Sequence, residues 1–313
     1  MTKIAFVFPG QGAQKIGMGQ DVAAAYPEAK KVYDDADARL GFSITNVIAE
    51  GPIESLTKSE NAQPALVSTS VAILRALETY GVKADFVAGH SLGEYSALVA
   101  GGFLEASDAI YLVRKRGELM EAAVPNGKGA MAAVLGVDRE TLKVITDEVT
   151  AAGDAVQLAN LNCPGQIVIS GTTEGVEKAG EKAKENGAKR VLPLAVSGPF
   201  HSSLMEPAAE NFREVLTEVA ISDGKIPVVN NVDAKQTINK AEISEKLIKQ
   251  IYSPVLWEDI VEELIKNGVD TFVEIGSGKV LAGLIKKINR DVTVLSAGDV
   301  ESVKSVAATL KGE

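Results

Sequence analysis

Ser91 stands in the run Gly89-His90-Ser91-Leu92-Gly93, with the apolar ADFVAG running into it and the helix-forming EYSALVA after it. A serine flanked in this way, on a strand-to-helix turn, is a nucleophile elbow. The turn exposes the oxygen, and side chains in place of the glycines would collide with strand and helix. The following helix also aims unpaired backbone N–H groups at whatever the serine attacks, which suits a developing negative charge. GxSxG alone is a weak string; its strand-like and helix-like flanks make it specific. A serine hydroxyl is a poor nucleophile until a base takes its proton, and histidine is the usual base. The sequence has two, His90 and His201. His90 adjoins Ser91, and neighbours on an extended segment point to opposite sides, so its ring is expected to turn away and pack or hydrogen-bond elsewhere. His201, on the loop SGPFHSS, is free to meet Ser91 across a cleft.

A third group joins these two. In EASDAIYLVRKRGELMEAA the apolar stripe runs through Ala109, Leu112, Val113, Leu119 or Met120, and Ala123, and Arg116 falls on that stripe while Arg114, Lys115, Glu118 and Glu121 fall largely off it. An inward arginine needs an anion, because an unpaired buried charge costs about 3 to 5 kcal/mol. Either a structural Asp or Glu or a ligand carboxylate must meet it. Other chemistries find less support. Cys163 lies in a turn between two expected strands, followed by Pro164 and Gly165 with no helix start aimed at it, and reads as a passive thiol. Two histidines and one cysteine make no metal-ligand cluster at usable spacing. Gly10-x-Gly12 has Lys15 where a dinucleotide fingerprint needs its third glycine, and Gly276-Ser277-Gly278-Lys279 lacks the spacing of a phosphate loop.

The elements that must hold these groups follow from the pattern. KIAFVF is a short, buried strand stopped by Pro9 and Gly10; the stretch NAQPALVSTSVAILRALETY is a helix apolar nearly all round. From Gly127 the order becomes strand, helix, strand, strand, helix, strand: GAMAAVLGV, TLKVITDEV, VQLANL, QIVIS, TTEGVEKAGEKAKENG and RVLPLAV. That βαββαβ order is the split pattern of a ferredoxin-like unit. After it, IPVVNNVDA (226–234), DTFVEIG and TVLSAG read as strands between helical segments. The expected fold is α/β. A large α/β-hydrolase-like domain with a mostly parallel sheet takes residues 1–126 and 199–313, and an inserted ferredoxin-like small domain takes 127–198.

A chain of 313 residues fits two such units, and its formal net charge of −10 argues against nucleic acid or an anionic membrane as main partner. The apolar part of MTKIAFVF is too short for a signal segment, and no run of about eighteen uncharged apolar residues occurs, so a cytoplasmic location is expected. Any anionic ligand must find a local basic patch.

FVFPGQGAQ, QPAL, AGHSLGEYSALVA, KRGELM, NCPGQIVISG, PFHSSLM, VVNNVDA, QIYSPVLW and EIGSGKVL, taken together and in this order, resemble the malonyl-CoA:acyl carrier protein transacylases of fatty acid synthesis from end to end. The resemblance implies Ser91 as nucleophile, His201 as base, and the amides of Gln11 and Leu92 as oxyanion hole. It also implies Arg116 as partner of the malonyl carboxylate, and the backbone carbonyl of Gln250 as the group orienting the histidine. Asn162 and Gln166 would line the thioester's approach, and the bulk of Phe200 would narrow the pocket against a methyl branch. The implied partners are malonyl-CoA, as substrate rather than cofactor, and an acyl carrier protein. Docking that acidic protein on this acidic chain would call on Lys182, Lys189 and Arg190 or on Lys286, Lys287 and Arg290.

Overall fold

The computed structural model describes residues 2–312. Among the described residues there are ten strands: β1 (Ile4–Phe8), β2 (Phe86–Gly89), β3 (Gly129–Leu135), β4 (Val156–Cys163), β5 (Gln166–Thr172), β6 (Arg190–Pro193), β7 (Val228–Val229), β8 (Gln236–Thr237), β9 (Thr271–Ile275) and β10 (Thr293–Ala297). Six form one sheet in the order β10-β9-β1-β2-β7-β8, parallel except for the β8 edge. The fold is α/β with a mostly parallel sheet, as the alternation of strands and helices predicts. β1 is apolar, and both β1 and β9 are buried nearly throughout, because helices cover both faces of the sheet. The chain builds outward from β1 on one side through β2, β7 and β8, then returns to the other side with β9 and β10. β1 and β2 are parallel neighbours, so their carboxyl ends, and the crevice beyond them, lie side by side.

One expected strand is much shorter than its sequence. IPVVNNVDA pairs with β2 only through Val228 and Val229. From Asn230 the chain turns: Ala234 N–H donates to Asn230 O at 3.0 Å, and Ala234 takes a left-handed φ of 51°. The apolar run ends early because its two asparagines spend their side chains on backbone groups, Asn230 on Lys235 O and Asn231 at the elbow.

The buried helix Ser59–Glu78 carries Pro64 within it. Proline lacks the N–H that would bond Glu60 O, and that carbonyl instead accepts from Arg114 Nη1 at 2.9 Å. The interruption thus ties this helix to Ala106–Ala122, the helix that carries Arg116.

β3 to β6 form a separate antiparallel sheet in the order β4-β5-β3-β6, with helices Arg139–Ala151 and Thr173–Glu185 on one face. Period-2 alternation divides its residues between two cores. Ala132, Val134, Ile167 and Ile169 pack under those helices, whereas Met131, Ala133, Ala159 and Val168 join the main core. The second face therefore roofs the crevice of the large sheet. Among the described residues no helix is long and apolar enough to cross a membrane.

Candidate active site

The elbow is built as its glycines require. A Cβ on Gly89 would lie 2.0 Å from the Gly93 carbonyl, and one on Gly93 would lie 2.2 Å from Phe8 O. Strand β2, the helix Gly93–Ala100 and the end of β1 therefore meet backbone to backbone, with Ser91 at the turn in a left-handed φ of 53°. Gly93→Ala is expected to cost about 3 kcal/mol or more, since rigid backbone and not a movable side chain blocks the methyl group. A lowered urea midpoint measures it; an unchanged midpoint would contradict the packing.

His201 Nε2 lies 2.7 Å from Ser91 Oγ, and its Nδ1 lies 2.8 Å from the backbone carbonyl of Gln250. A carbonyl can only accept, so Nδ1 carries the proton and Nε2 is left as the acceptor for the serine hydroxyl. His201 also sits in a left-handed φ, 59°, and its own carbonyl accepts from Gln157 Nε2 of β4 at 3.3 Å. Burial first, and the Arg116 charge second, push the imidazole's pKa down to about 3. Burial likewise lowers that of His90. The sign of the linkage follows: each folded imidazole resists a proton that the unfolded one accepts near 6.5. Their stabilising contribution is complete above that pH and is lost as pH falls from 6.5, for His201 towards about 3. Ring-nitrogen NMR is expected to show no protonation midpoint for His201 between pH 5 and 8; a midpoint near 6.5 would rule out the buried, neutral base.

Arg116 is 1% exposed, and its partners are all neutral. Nη1 donates to Gln63 Oε1 at 2.7 Å, and Nη2 to Gln250 Oε1 at 3.0 Å and to Ser91 Oγ at 3.1 Å; Nε has no partner. The inward position predicted from the helix stripe is observed. The structural Asp or Glu that could have met it does not, among the described residues, make an ion pair with it. This guanidinium sits beside the serine in a cavity of ≈ 150 Å³ walled by Met120, Met131, Leu194 and Phe200, with Gln63 and Asn160 among its polar groups.

The loop after β1 closes one side. A Cβ on Gly10 would lie 2.7 Å from His90 O, so the loop lies against the elbow, and Gln11 lines the cavity. Leu92 caps the N-terminus of Gly93–Ala100. Among the described residues the backbone N–H groups of Gln11 and Leu92 donate to no protein acceptor, while that of Ser91 is taken by Asn231 Oδ1 at 2.8 Å.

The acyl transferase domain pattern matches residues 5–311. The malonyl CoA-acyl carrier protein transacylase of Bacillus subtilis (strain 168) is 57% identical over 313 residues, covering 100% of this chain and 99% of its own. That of Staphylococcus aureus (strain MRSA252) is 48% identical over 304 residues, 97% and 98% of the two chains. The crystal structure of an acyl carrier protein S-malonyltransferase from Vibrio cholerae O1 superposes with a TM-score of 0.95 at 43% identity, covering 97% of this chain and 100% of that one. A type II PKS acyl-carrier protein in complex with its malonyl-transacylase gives 0.95 at 42% identity, with both chains fully covered. The chain belongs to the acyl transferase family.

In this acyl transferase, Ser91, His201, Arg116, Gln11, Leu92 and Gln250 converge on one cavity or its immediate wall. Two expected site residues do not. Asn162 lies at an irregularity of the β4–β5 pairing, between Leu161 and Cys163, and its Oδ1 sits 2.8 Å from His90 Nε2, outside the cavity. Gln166, at the β4–β5 turn, accepts from Lys287 Nζ at 3.1 Å and is also outside. The small sheet offers Asn160 to the cavity instead, because the bulge at Asn162 swings that side chain towards the outer side of the elbow. His90 is turned from the serine oxygen, as expected, with its ring centroid 5.7 Å from that of Trp257. Cys163 is buried, and burial raises its thiol pKa, as fits a passive thiol. Phe200 forms part of the cavity wall. Of the basic residues singled out, Lys182 is paired with Glu148, and Lys286 caps the carbonyls of Arg290 and Val292.

Sequence reasoning missed Gln63 and Asn231. Each carried a signal. Gln63 is a polar residue on a helix apolar on every side, and Asn231 is an amide in an apolar run that ends too soon. The third missed residue is Glu94, buried in the first turn after the serine.

Proposed function

We propose that this acyl transferase moves a malonyl group from coenzyme A to the phosphopantetheine thiol of an acyl carrier protein, through a malonyl ester on Ser91, in fatty acid biosynthesis in the cytoplasm. The observation that carries the reading is Arg116: a buried guanidinium 3.1 Å from the serine oxygen with only neutral partners. A guanidinium fork receives a carboxylate through two parallel charge-assisted hydrogen bonds, and a malonyl thioester brings its carboxylate two carbons from the carbonyl that Ser91 must attack. The Bacillus subtilis relative is named for malonyl-CoA and acyl carrier protein, and the Vibrio cholerae one for malonyl transfer to acyl carrier protein.

His201 Nε2 takes the Ser91 proton as Oγ bonds to the thioester carbon. The oxyanion rests on the Gln11 and Leu92 amides, which have no other acceptor. The C–S bond then breaks, and His201 returns the proton to the departing coenzyme A thiol. In the second half the carrier's thiol gives its proton to His201, its sulfur attacks the serine ester, and Ser91 Oγ recovers the proton. Substrate binding also strengthens the base: pairing with a carboxylate offsets the Arg116 charge that holds the His201 pKa down.

The test is mixing with malonyl-CoA and weighing the intact protein. A malonyl adduct on Ser91, discharged by a carrier thiol, is the expected result. No adduct, or discharge only to free malonate in the presence of the carrier, would overturn the reading.

A further inference from the structure

Glu94 is 2% exposed, lies three residues after Ser91, and takes no part in the transfer steps above. Its Oε2 accepts from Gln250 Nε2 at 2.6 Å, and its Oε1 accepts from the Asn231 backbone N–H at 3.4 Å. Each of these partners is itself a clamp on the elbow. The Asn231 side chain accepts the Ser91 N–H at 2.8 Å and donates to Gly89 O at 2.6 Å. The second hydrogen of Gln250 Nε2 goes to Ser91 O at 2.9 Å. Backbone groups on both sides of the strained serine are thus held by the side-chain amides of two residues, and one carboxyl group bonds both residues, Gln250 through its side chain and Asn231 through its backbone.

The orientation of the Gln250 amide matters most. An amide offers two hydrogens at nitrogen and only lone pairs at oxygen, and the two ends are nearly equal in size. With Glu94 and Ser91 O both accepting at the nitrogen end, the oxygen end must face Arg116, where it accepts from Nη2 at 3.0 Å. We propose that Glu94 is a positioning residue for the malonyl group: it locks the Gln250 amide, and that amide holds Arg116 where a substrate carboxylate can meet it beside Ser91. The proposal rests on Arg116 as the carboxylate's seat.

The charge environment fits a residue chosen for its acceptor oxygens. Gln250 and Lys246 face Glu94 from the helix Lys240–Tyr252, Asn231 from the loop after β7, and Arg116 from the helix Ala106–Ala122, while Tyr95 adjoins it on its own helix. Burial outweighs them and raises its pKa to about 7. Charged or protonated, the group still offers a carbonyl-type oxygen to Gln250. Without it, one amide hydrogen is left buried and unpaired. The amide can then turn its NH₂ towards Arg116, setting donors against donors and pushing the guanidinium off its station. His201 is spared, because its tie to Gln250 is through the backbone.

The test compares formation of acyl-Ser91 from malonyl-CoA and from acetyl-CoA in full-length Glu94→Ala and Glu94→Gln, with sulfonyl fluoride labelling of Ser91 as a measure of the nucleophile and base. Glu94→Ala is expected to lose about 30-fold with malonyl-CoA, the effect of one charge-assisted hydrogen bond, and about 3-fold or less with acetyl-CoA and in labelling. Glu94→Gln can present its own Oε1 to Gln250 and is expected to recover most of the malonyl rate. Glu94→Asp shortens the side chain by one methylene and withdraws its oxygens from Gln250 Nε2, so it should show the same malonyl-selective loss and serves if Glu94→Ala fails to fold. Equal losses with both thioesters, or Glu94→Gln no better than Glu94→Ala, would overturn the proposal, as would a malonyl-acylated wild type with undiminished variants. A wild type that takes no malonyl group would instead sink the functional reading.

Discussion

Ser91→Ala is expected to abolish the malonyl-enzyme adduct and lower transfer to the carrier thiol by about 10⁴-fold or more. The reason is geometric. Oγ is the one atom that His201 Nε2 and Arg116 Nη2 approach together, at 2.7 and 3.1 Å. Without it no enzyme ester can form, and the thiol would have to attack malonyl-CoA directly. His201→Ala leaves the oxygen but removes its acceptor, and a loss of about 10² to 10⁴ is expected. Intact mass and carrier-loading assays measure both. An adduct surviving in Ser91→Ala would place the nucleophile elsewhere. Folding should survive, because the elbow's backbone is held by Asn231, Gln250 and the two glycines rather than by the hydroxyl.

Arg116→Ala should separate the substrates. With malonyl-CoA the variant leaves a carboxylate in a buried site with no cation, and a loss of about 10³-fold is expected, equivalent to roughly 4 kcal/mol. Acetyl-CoA has no carboxylate to lose. Its rate should change by about 3-fold or less, since removing the guanidinium also removes the positive charge that holds the His201 pKa down. The ratio of the two acylation rates is the measurement. Equal losses would mean that Arg116 serves the serine and not the carboxylate. Some loss of stability accompanies the change, because Gln63 Oε1 and Gln250 Oε1 become buried acceptors without a donor.

The parts of this site that the sequence states outright are those fixed by local physics. An elbow serine needs glycine on each side because backbone meets backbone, and Gly89 and Gly93 announce it. An arginine on an apolar stripe must be buried, and Arg116 is. Strand and helix periods gave the succession of elements along the chain, whereas the strand order within each sheet and the division of β3 and β5 residues between two cores came from the structure. Where local rules met competing demands, the reading failed. IPVVNNVDA has the composition of a strand, yet its asparagines bond the backbone carbonyls of Lys235 and Gly89 and stop the ladder after Val229. Asn162 and Gln166 do not line the acyl cavity itself: the irregularity in β4 turns Asn162 to His90, and Gln166 accepts from Lys287.

By itself, then, the sequence determined a serine nucleophile on an α/β sheet, a single free histidine to serve it, and an inward cation in need of an anion. Only the tertiary structure decided that no side chain of the described residues supplies that anion as an ion pair, and that Gln63, Gln250, Asn231 and Glu94 hold the reacting groups in place. The physical reason lies in the chemistry of amides. Their two ends read alike in a sequence, and whether each end donates or accepts is fixed by neighbours that may lie more than a hundred residues away, as Glu94 and Ser91 do from Gln250.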